Sequence, residues 1–404
     1  MRLEIYLDHI EVKSLNLKIL KLKNTLYTFK IAVFISILIF ASSCQNETTG
    51  NPLEHVLASD HEKITRVMDS LEQFELQILY TQIDRKGDST IFTDYSFQID
   101  STQYFYPAST VKFPAVVATL EKLNEVDSLD RDFRFYIEGD SVETTFTDDI
   151  YEIFAVSGNE PNNRFVEFLG FDDLNNRIKR RGVSPIRISH RLSTANADEL
   201  TTKPLVIYKN DSTTTTSKMI INSAPKPLAL NKIKKGIGFY GGDSLYNEPF
   251  DFSLKNHYPI QSQHNLLKRI LFSDEFSQEE KFNLSDEQLD FLKDAMKVLP
   301  KNVGYDPEEY YDGYVKFFMY GDVKDAIPEH IQIHNKVGYA YGTLTDCAYI
   351  KDTKNNVDFM ITATLLVNKD GIFNDDNYEY EEIGIPFLAQ LGREIYDYEL
   401  NRKR

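Results

Sequence analysis

Ser109 and Lys112 stand three residues apart in Tyr106-Pro107-Ala108-Ser109-Thr110-Val111-Lys112, where a loop turns into an apolar-rich stretch. Positions three apart share a helix face, so the Lys112 amine is expected to reach the Ser109 hydroxyl. A hydroxyl is a weak nucleophile until a base takes its proton, and a lysine can serve only if burial or another cation lowers its pKa. A serine at a helix start also has unpaired backbone N–H groups beside it, ready to face a developing oxyanion. Spacing alone proves little. Ser223-Ala224-Pro225-Lys226 repeats it with a proline and no helical pattern, and is read as chemically silent.

Two further strings add groups. Ser157-Gly158-Asn159 precedes a helical pattern that begins near Pro161. There a serine hydroxyl can pass a proton between a lysine and a leaving group, and a carboxamide can hold Lys112 and a substrate amide at once. Lys336-Val337-Gly338 lies on a β-rich run. Its glycine would let a substrate lie against the strand edge, the Tyr339 backbone N–H could complete an oxyanion hole, and Lys336 would supply a second cation. Taken singly, each string has a plain structural alternative, an N-cap turn in one case and an exposed strand lysine in the other.

Together and in this order, the strings resemble the S-x-x-K, S-D-N and K-T-G set of class A β-lactamases and penicillin-binding proteins. The flanks Pro107 to Pro114 and Gly338 to Asp346 also look like those of the class A domain, and the resemblance covers roughly Leu53 to Leu400. It implies that Ser109 is the acylated nucleophile, Lys112 its general base and Ser157 a proton relay. It makes Asn159, Lys336, Gly338 and Tyr339 substrate-binding positions, with the Ser109 and Tyr339 backbones as the oxyanion hole, and it implies no metal or cofactor. Three departures stand out: Gly158 replaces an aspartate, Val337 replaces a hydroxyl that would grip a substrate carboxylate, and Thr345 stands where many class A enzymes keep an arginine. A fourth bears on deacylation. No E-x-x-L-N string occurs, and the corresponding stretch, His190 to Lys203, offers only Asp198 and Glu199, either of which could position water or be a solvated loop acid. The activities implied are hydrolysis of β-lactam amides or, with the same nucleophile, a peptidoglycan D,D-peptidase or an esterase. The departures leave a third possibility, a non-enzymatic binding protein of the cell envelope.

Positioning these residues requires an α+β fold. The pattern predicts an amphipathic helix after a capping box at Ser59, a hairpin of Glu75 to Thr81 with Thr90 to Phe97, and a helix over Thr110 to Leu123. Helices follow at Pro161 to Leu169 and Asp172 to Arg181, then one capped by Ser285-Asp286-Glu287-Gln288. Strands are expected at Ile331 to Tyr339, Gly342 to Ile350 and Val357 to Val367, with a last helix from about Glu382 to Leu400. This order fits an antiparallel sheet flanked by helices and built from both chain ends, plus an all-helical subdomain, the arrangement the resemblance also implies. Residues 201–260, with a threonine run and a glycine cluster, read as inserted hairpin and loops.

The chain begins differently. Ile31 to Phe40 is an apolar run of ten after Lys18, Lys21, Lys23 and Lys30, too short for a bilayer but suited to a signal peptide. Ala41-Ser42-Ser43-Cys44 resembles a bacterial lipobox, so residues 1–44 are expected to be a signal segment and Cys44 lipidated, with 45–52 a linker and 53–404 the catalytic domain. The expected location is the bacterial envelope, anchored to the membrane through lipid. Cys347 would then be the remaining thiol, leaving no intramolecular disulfide. The 62 acidic and 45 basic residues give a net charge of -17, which argues against nucleic-acid partners. Three patterns are set aside: Gly236-Ile237-Gly238-Phe239-Tyr240-Gly241 reads as a loop rather than a nucleotide site, the eight histidines lack zinc-site spacing, and the tyrosines of 305–320 fit a cleft or ordinary packing.

Overall fold

A computed structural model describes residues 50–126 and 129–402. The signal-like segment, Cys44 and most of the expected linker lie outside the described residues. Asn51 caps α1 (Pro52–Leu57) by accepting the Leu53 N–H, and α2 (Glu62–Met68) follows. The expected capping box at Ser59 does not form. Its hydroxyl donates to Glu394 at 2.9 Å, and the His61 ring accepts from Lys63 N–H instead, so the helix starts at Glu62.

β1 (Gln77–Lys86) and β2 (Ser89–Phe97) form the expected hairpin around Gly87-Asp88, with Gly87 at φ +61°. The nucleophile's helix, α3 (Lys112–Glu125), comes next. The middle of the chain holds β3 (Arg134–Ile137), β4 (Thr144–Thr145), α4 (Phe146–Ala155), α5 (Asn159–Leu169), α6 (Phe171–Arg180), β5 (Leu205–Asn210) and β6 (Thr213–Thr216). It is therefore not purely helical, because β4-β3-β5-β6 make a small sheet. Within the hairpin and loops expected at 201–260, the threonine run forms β6, paired with β5, and β5 is tied into the helical region by pairing with β3, Phe135 opposite Ile207, both side chains buried.

The glycine cluster departs from a loop. It spans parts of β7 (Lys234–Lys235) and β8 (Gly238–Gly241), followed by β9 (Ser244–Tyr246) and β10 (Phe250–Asp251). Gly236 sits at φ +75°, and a Cβ there would stand 2.3 Å from the Gly371 carbonyl. Close backbone approach therefore explains this glycine, with no phosphate invoked.

After α7 (Ile260–Leu271) and α8 (Asp286–Met296), the latter with its full Ser285/Gln288 capping box, come β11 (Ile331–Ala340), β12 (Thr343–Asp352), β13 (Val357–Leu366), the short β14 (Ile372–Phe373) and α9 (Ile385–Asn401). The main sheet runs β11-β12-β13-β1-β2, all antiparallel, and β1 beside β13 joins the two chain ends as expected. Along β13, Phe359, Ile361, Ala363 and Leu365 alternate into the core shared with α1, α2 and α9, while Met360 faces the core of α3 to α8. β12 and β13 are buried on both faces, β13 as a largely apolar run broken by Asp358, Thr362 and Thr364, and β12 with Thr343, Thr345 and Asp346 buried among its apolar residues. β11 is an edge strand, and its free edge borders the site.

Candidate active site

Ser109 lies in a single 3₁₀ turn, Ala108–Val111, that runs straight into α3. Lys112 is fully buried, and its Nζ donates to Asn159 Oδ1 at 2.8 Å, to Ser157 Oγ at 3.3 Å and to the Ser157 carbonyl. These three acceptors use the three donors of an ammonium, so no hydrogen bond joins Lys112 to Ser109, contrary to the direct contact expected from their spacing. Burial lowers the Lys112 pKa to about 7, with Glu160 and Glu152 opposing. A neutral amine would recover one lone pair while keeping two of those bonds.

Ser157 and Asn159 come from the turn between α4 and α5. Ser157 has φ +61°, a left-handed conformation costing a non-glycine residue about 1–2 kcal/mol. The turn is braced by Arg164 on α5, which grips Asp149 on α4 through two bonds of 2.8 and 2.6 Å. Lys336 on β11, also buried, donates to Ser157 Oγ at 2.7 Å and to the Val337 carbonyl at 2.8 Å. One hydroxyl thus bridges two amines. Burial, then Lys112 and Lys316, push the Lys336 pKa well down, while Asp346 pulls it up.

Gly338 is explained by contact. A Cβ there would lie 2.7 Å from the Pro107 carbonyl, 2.8 Å from Ser109 N and 2.9 Å from Thr110 N. Only a bare backbone lets β11 lie against the nucleophile's turn. Tyr339 is the next residue, 47% exposed, and lines with Ser109, Ser157 and Asn159 a cavity of about 580 Å³. Its wall is aromatic: Tyr106, Tyr314, Tyr341, Tyr378 and Tyr380 also face it. Of the tyrosines at 305–320, Tyr314 alone lines it, with Tyr310 edge-on behind it at 4.9 Å between rings and Tyr305 tilted against Tyr310 at 5.0 Å.

Val337 and Thr345 do not line this cavity. Val337 is buried in the core, and Thr345 donates to Gln263 Oε1 at 3.4 Å. Nor do Asp198 and Glu199 line it. Asp198 is exposed and lies 3.7 Å from Lys255, which lines the cavity, and Glu199 is exposed as well. Among the lining residues the one carboxylate is Asp376.

Two residues of that same stretch escaped the sequence reading. Arg191, buried, holds Glu167 at 2.7 and 3.0 Å and donates to the carbonyls of Asn196, Glu199 and Thr201, so the loop 191–201 is wound around one guanidinium. His190 lies parallel to Tyr106 on the cavity wall, its Nδ1 bonded to the Arg191 carbonyl and its Nε2 without a partner; burial lowers its pKa to about 4, so the ring is neutral. Neither residue carries a motif, since each matters only through partners that the fold supplies.

The model of the β-lactamase enzyme family matches residues 61–222, the part holding Ser109, Lys112 and Ser157 to Asn159. No curated protein matches the chain. A class A β-lactamase from Bacteroides cellulosilyticus DSM 14838 is similar over 86% of this chain and 98% of its own, at 13% identity and a TM-score of 0.50. The structure of PBP-A is similar over 87% and 96%, at 13% identity and a TM-score of 0.51. The fold is β-lactamase/transpeptidase-like.

Proposed function

We propose that the chain is a β-lactamase-like serine hydrolase in which Ser109 attacks an amide or ester carbonyl and carries the acyl group. The observation that supports this most is the meeting of Lys112, Lys336 and the Ser157 hydroxyl beside the Ser109 turn. Neutral Lys112 takes the hydroxyl proton as Ser109 Oγ bonds to the carbonyl carbon, with the Ser109 and Tyr339 N–H groups receiving the oxyanion. Ser157 then relays a proton to the leaving nitrogen as the C–N bond breaks, and water hydrolyses the ester. Asn159 and Lys336 orient the substrate.

A β-lactam amide is the substrate class this reading favours. The absence of Val337, Thr345, Asp198 and Glu199 from the cavity favours a second reading alongside it, a peptidase-like or slow-deacylating enzyme whose acyl form persists. Nitrocefin separates them: steady turnover supports the hydrolase, and one stoichiometric burst the slow enzyme. Intact-mass measurement with a reactive β-lactam tests both, since Ser109→Ala should abolish the adduct. A wild-type protein that gains no adduct would overturn the enzymatic reading in favour of an envelope-binding role. We further propose lipid anchoring at Cys44, for which Cys44→Ser should move the protein from the membrane to the soluble fraction.

A further inference from the structure

Position 158 departs from the pattern the site resembles, and the space beside it is filled from elsewhere. Gly158 has φ −51° and ψ 137°, a backbone open to any residue, so the turn itself does not demand glycine. A Cβ there would lie 2.3 Å from Glu152 Oε1 and 2.9 Å from its Cδ. The carboxylate of Glu152, near the end of α4, therefore occupies the place where a side chain of residue 158 would begin. The helix end fixes its backbone, because the Val156 and Gly158 N–H groups both return to the Glu152 carbonyl at 3.0 and 3.5 Å. No hydrogen bond from the described residues engages the carboxylate itself.

We propose that Glu152 is a positioning residue for acylation, supplying from α4 the carboxylate that position 158 lacks and acting through Lys112. This rests on the Ser109 reading above. Lys112 faces Glu152 on α4, Glu160 on α5 and Lys336 on β11; Glu152 in turn faces Asp149, Arg164, Glu160, Lys112 and Tyr305. Arg164 makes its hydrogen bonds to Asp149, and its charge, ahead of that of Lys112, also steadies the Glu152 carboxylate. Burial raises the Glu152 pKa, and ionised Glu152 in turn favours the Lys112 ammonium.

Acylation needs neutral Lys112, so its rate rises with pH through the Lys112 pKa. Removing the Glu152 charge lowers that pKa and moves the rising limb to lower pH. The test is the second-order rate of nitrocefin acylation by the full chain from pH 5 to 9. Glu152→Gln should move the limb acidward by about half a unit or more. Gly158→Ala, whose methyl displaces the carboxylate, should move it the same way, and the double variant E152A/G158D should move it back. A limb unmoved in Glu152→Gln, with the rate lowered equally at every pH, overturns the proposal in favour of a merely structural role. A wild-type chain that forms no adduct instead overturns the Ser109 reading, and the proposal with it.

Discussion

At the scale of single residues, the site trades solvation for reactivity. A lysine in water stays protonated up to about pH 10 and is useless as a base at neutrality. Buried Lys112, brought to about 7, is half neutral there, so wild-type acylation should climb through pH 7 and level off above it, as a stopped-flow pH series would show. A limb centred near 10 would mean that Lys112 keeps the ordinary lysine value and is not tuned by burial. Gly338→Ala tests the contact between strand and nucleophile. The atoms its methyl would strike, Pro107 O, Ser109 N and Thr110 N, are backbone and cannot swing aside as a side chain can. The strand must retreat from Ser109, and a displacement on the order of 1 Å should lower the acylation rate about 100-fold, with a stability loss of about 1–3 kcal/mol in denaturant titration. Unchanged acylation would mean that β11 takes no part in the oxyanion site.

At the scale of elements, the loop 191–201 depends on one side chain. Arg191→Ala would leave Glu167 buried without its cation and take a donor from the carbonyls of Asn196, Glu199 and Thr201, the first of which keeps the Glu199 N–H, a loss of about 3–5 kcal/mol. Hydrogen exchange should rise across 191–201 while β12 and β13 stay protected; equal protection in both would mean that other contacts hold the loop. The elements legible in the sequence were those with strong internal signals. The Ser285 capping box, the hairpin at Gly87 and the ten-residue, β-rich strands β11 to β13 each carry their pattern within a few residues. Of the small sheet, the β5–β6 hairpin falls within the hairpin and loops read at 201–260, whereas β3 and β4, of four and two residues, make too short an alternation to read, and the pairing of β3 with β5 depends on distant chain. Of the site, the three strings were readable as strings. The Lys112 donor pattern, the Arg191 loop and the Glu152 carboxylate were not, since each depends on which distant atoms the fold brings close.

For the whole molecule, the buried histidines set the response to acid. His190 and His257 are lowered to about 4, and His264 and His334 to about 3, chiefly by burial. Unfolded, each titrates near 6.5. Below that pH the unfolded chain binds protons the folded chain refuses, so stability falls as pH drops from 6.5 toward the folded values. Asp346 works the other way: raised to about 6, it holds a proton in the fold that the unfolded chain takes up only nearer 4. Easing the self-repulsion of a chain at -17 also opposes the loss, though charges spread over a surface and screened by salt act weakly. Asp149, Glu152 and Asp397, also raised, act with Asp346, and four histidines against them leave a net uptake of about one to three protons on unfolding near pH 5, worth about 1–4 kcal/mol per pH unit. For a domain stabilised by about 5–15 kcal/mol this is a sizeable share. The denaturant midpoint should therefore drop between pH 6.5 and 5. His334→Phe, replacing a ring whose Nδ1 has no partner and which lies 5.5 Å from Tyr349, should flatten the slope by about one proton. A midpoint that stays level to pH 5 would show that the histidines take up protons within the folded state.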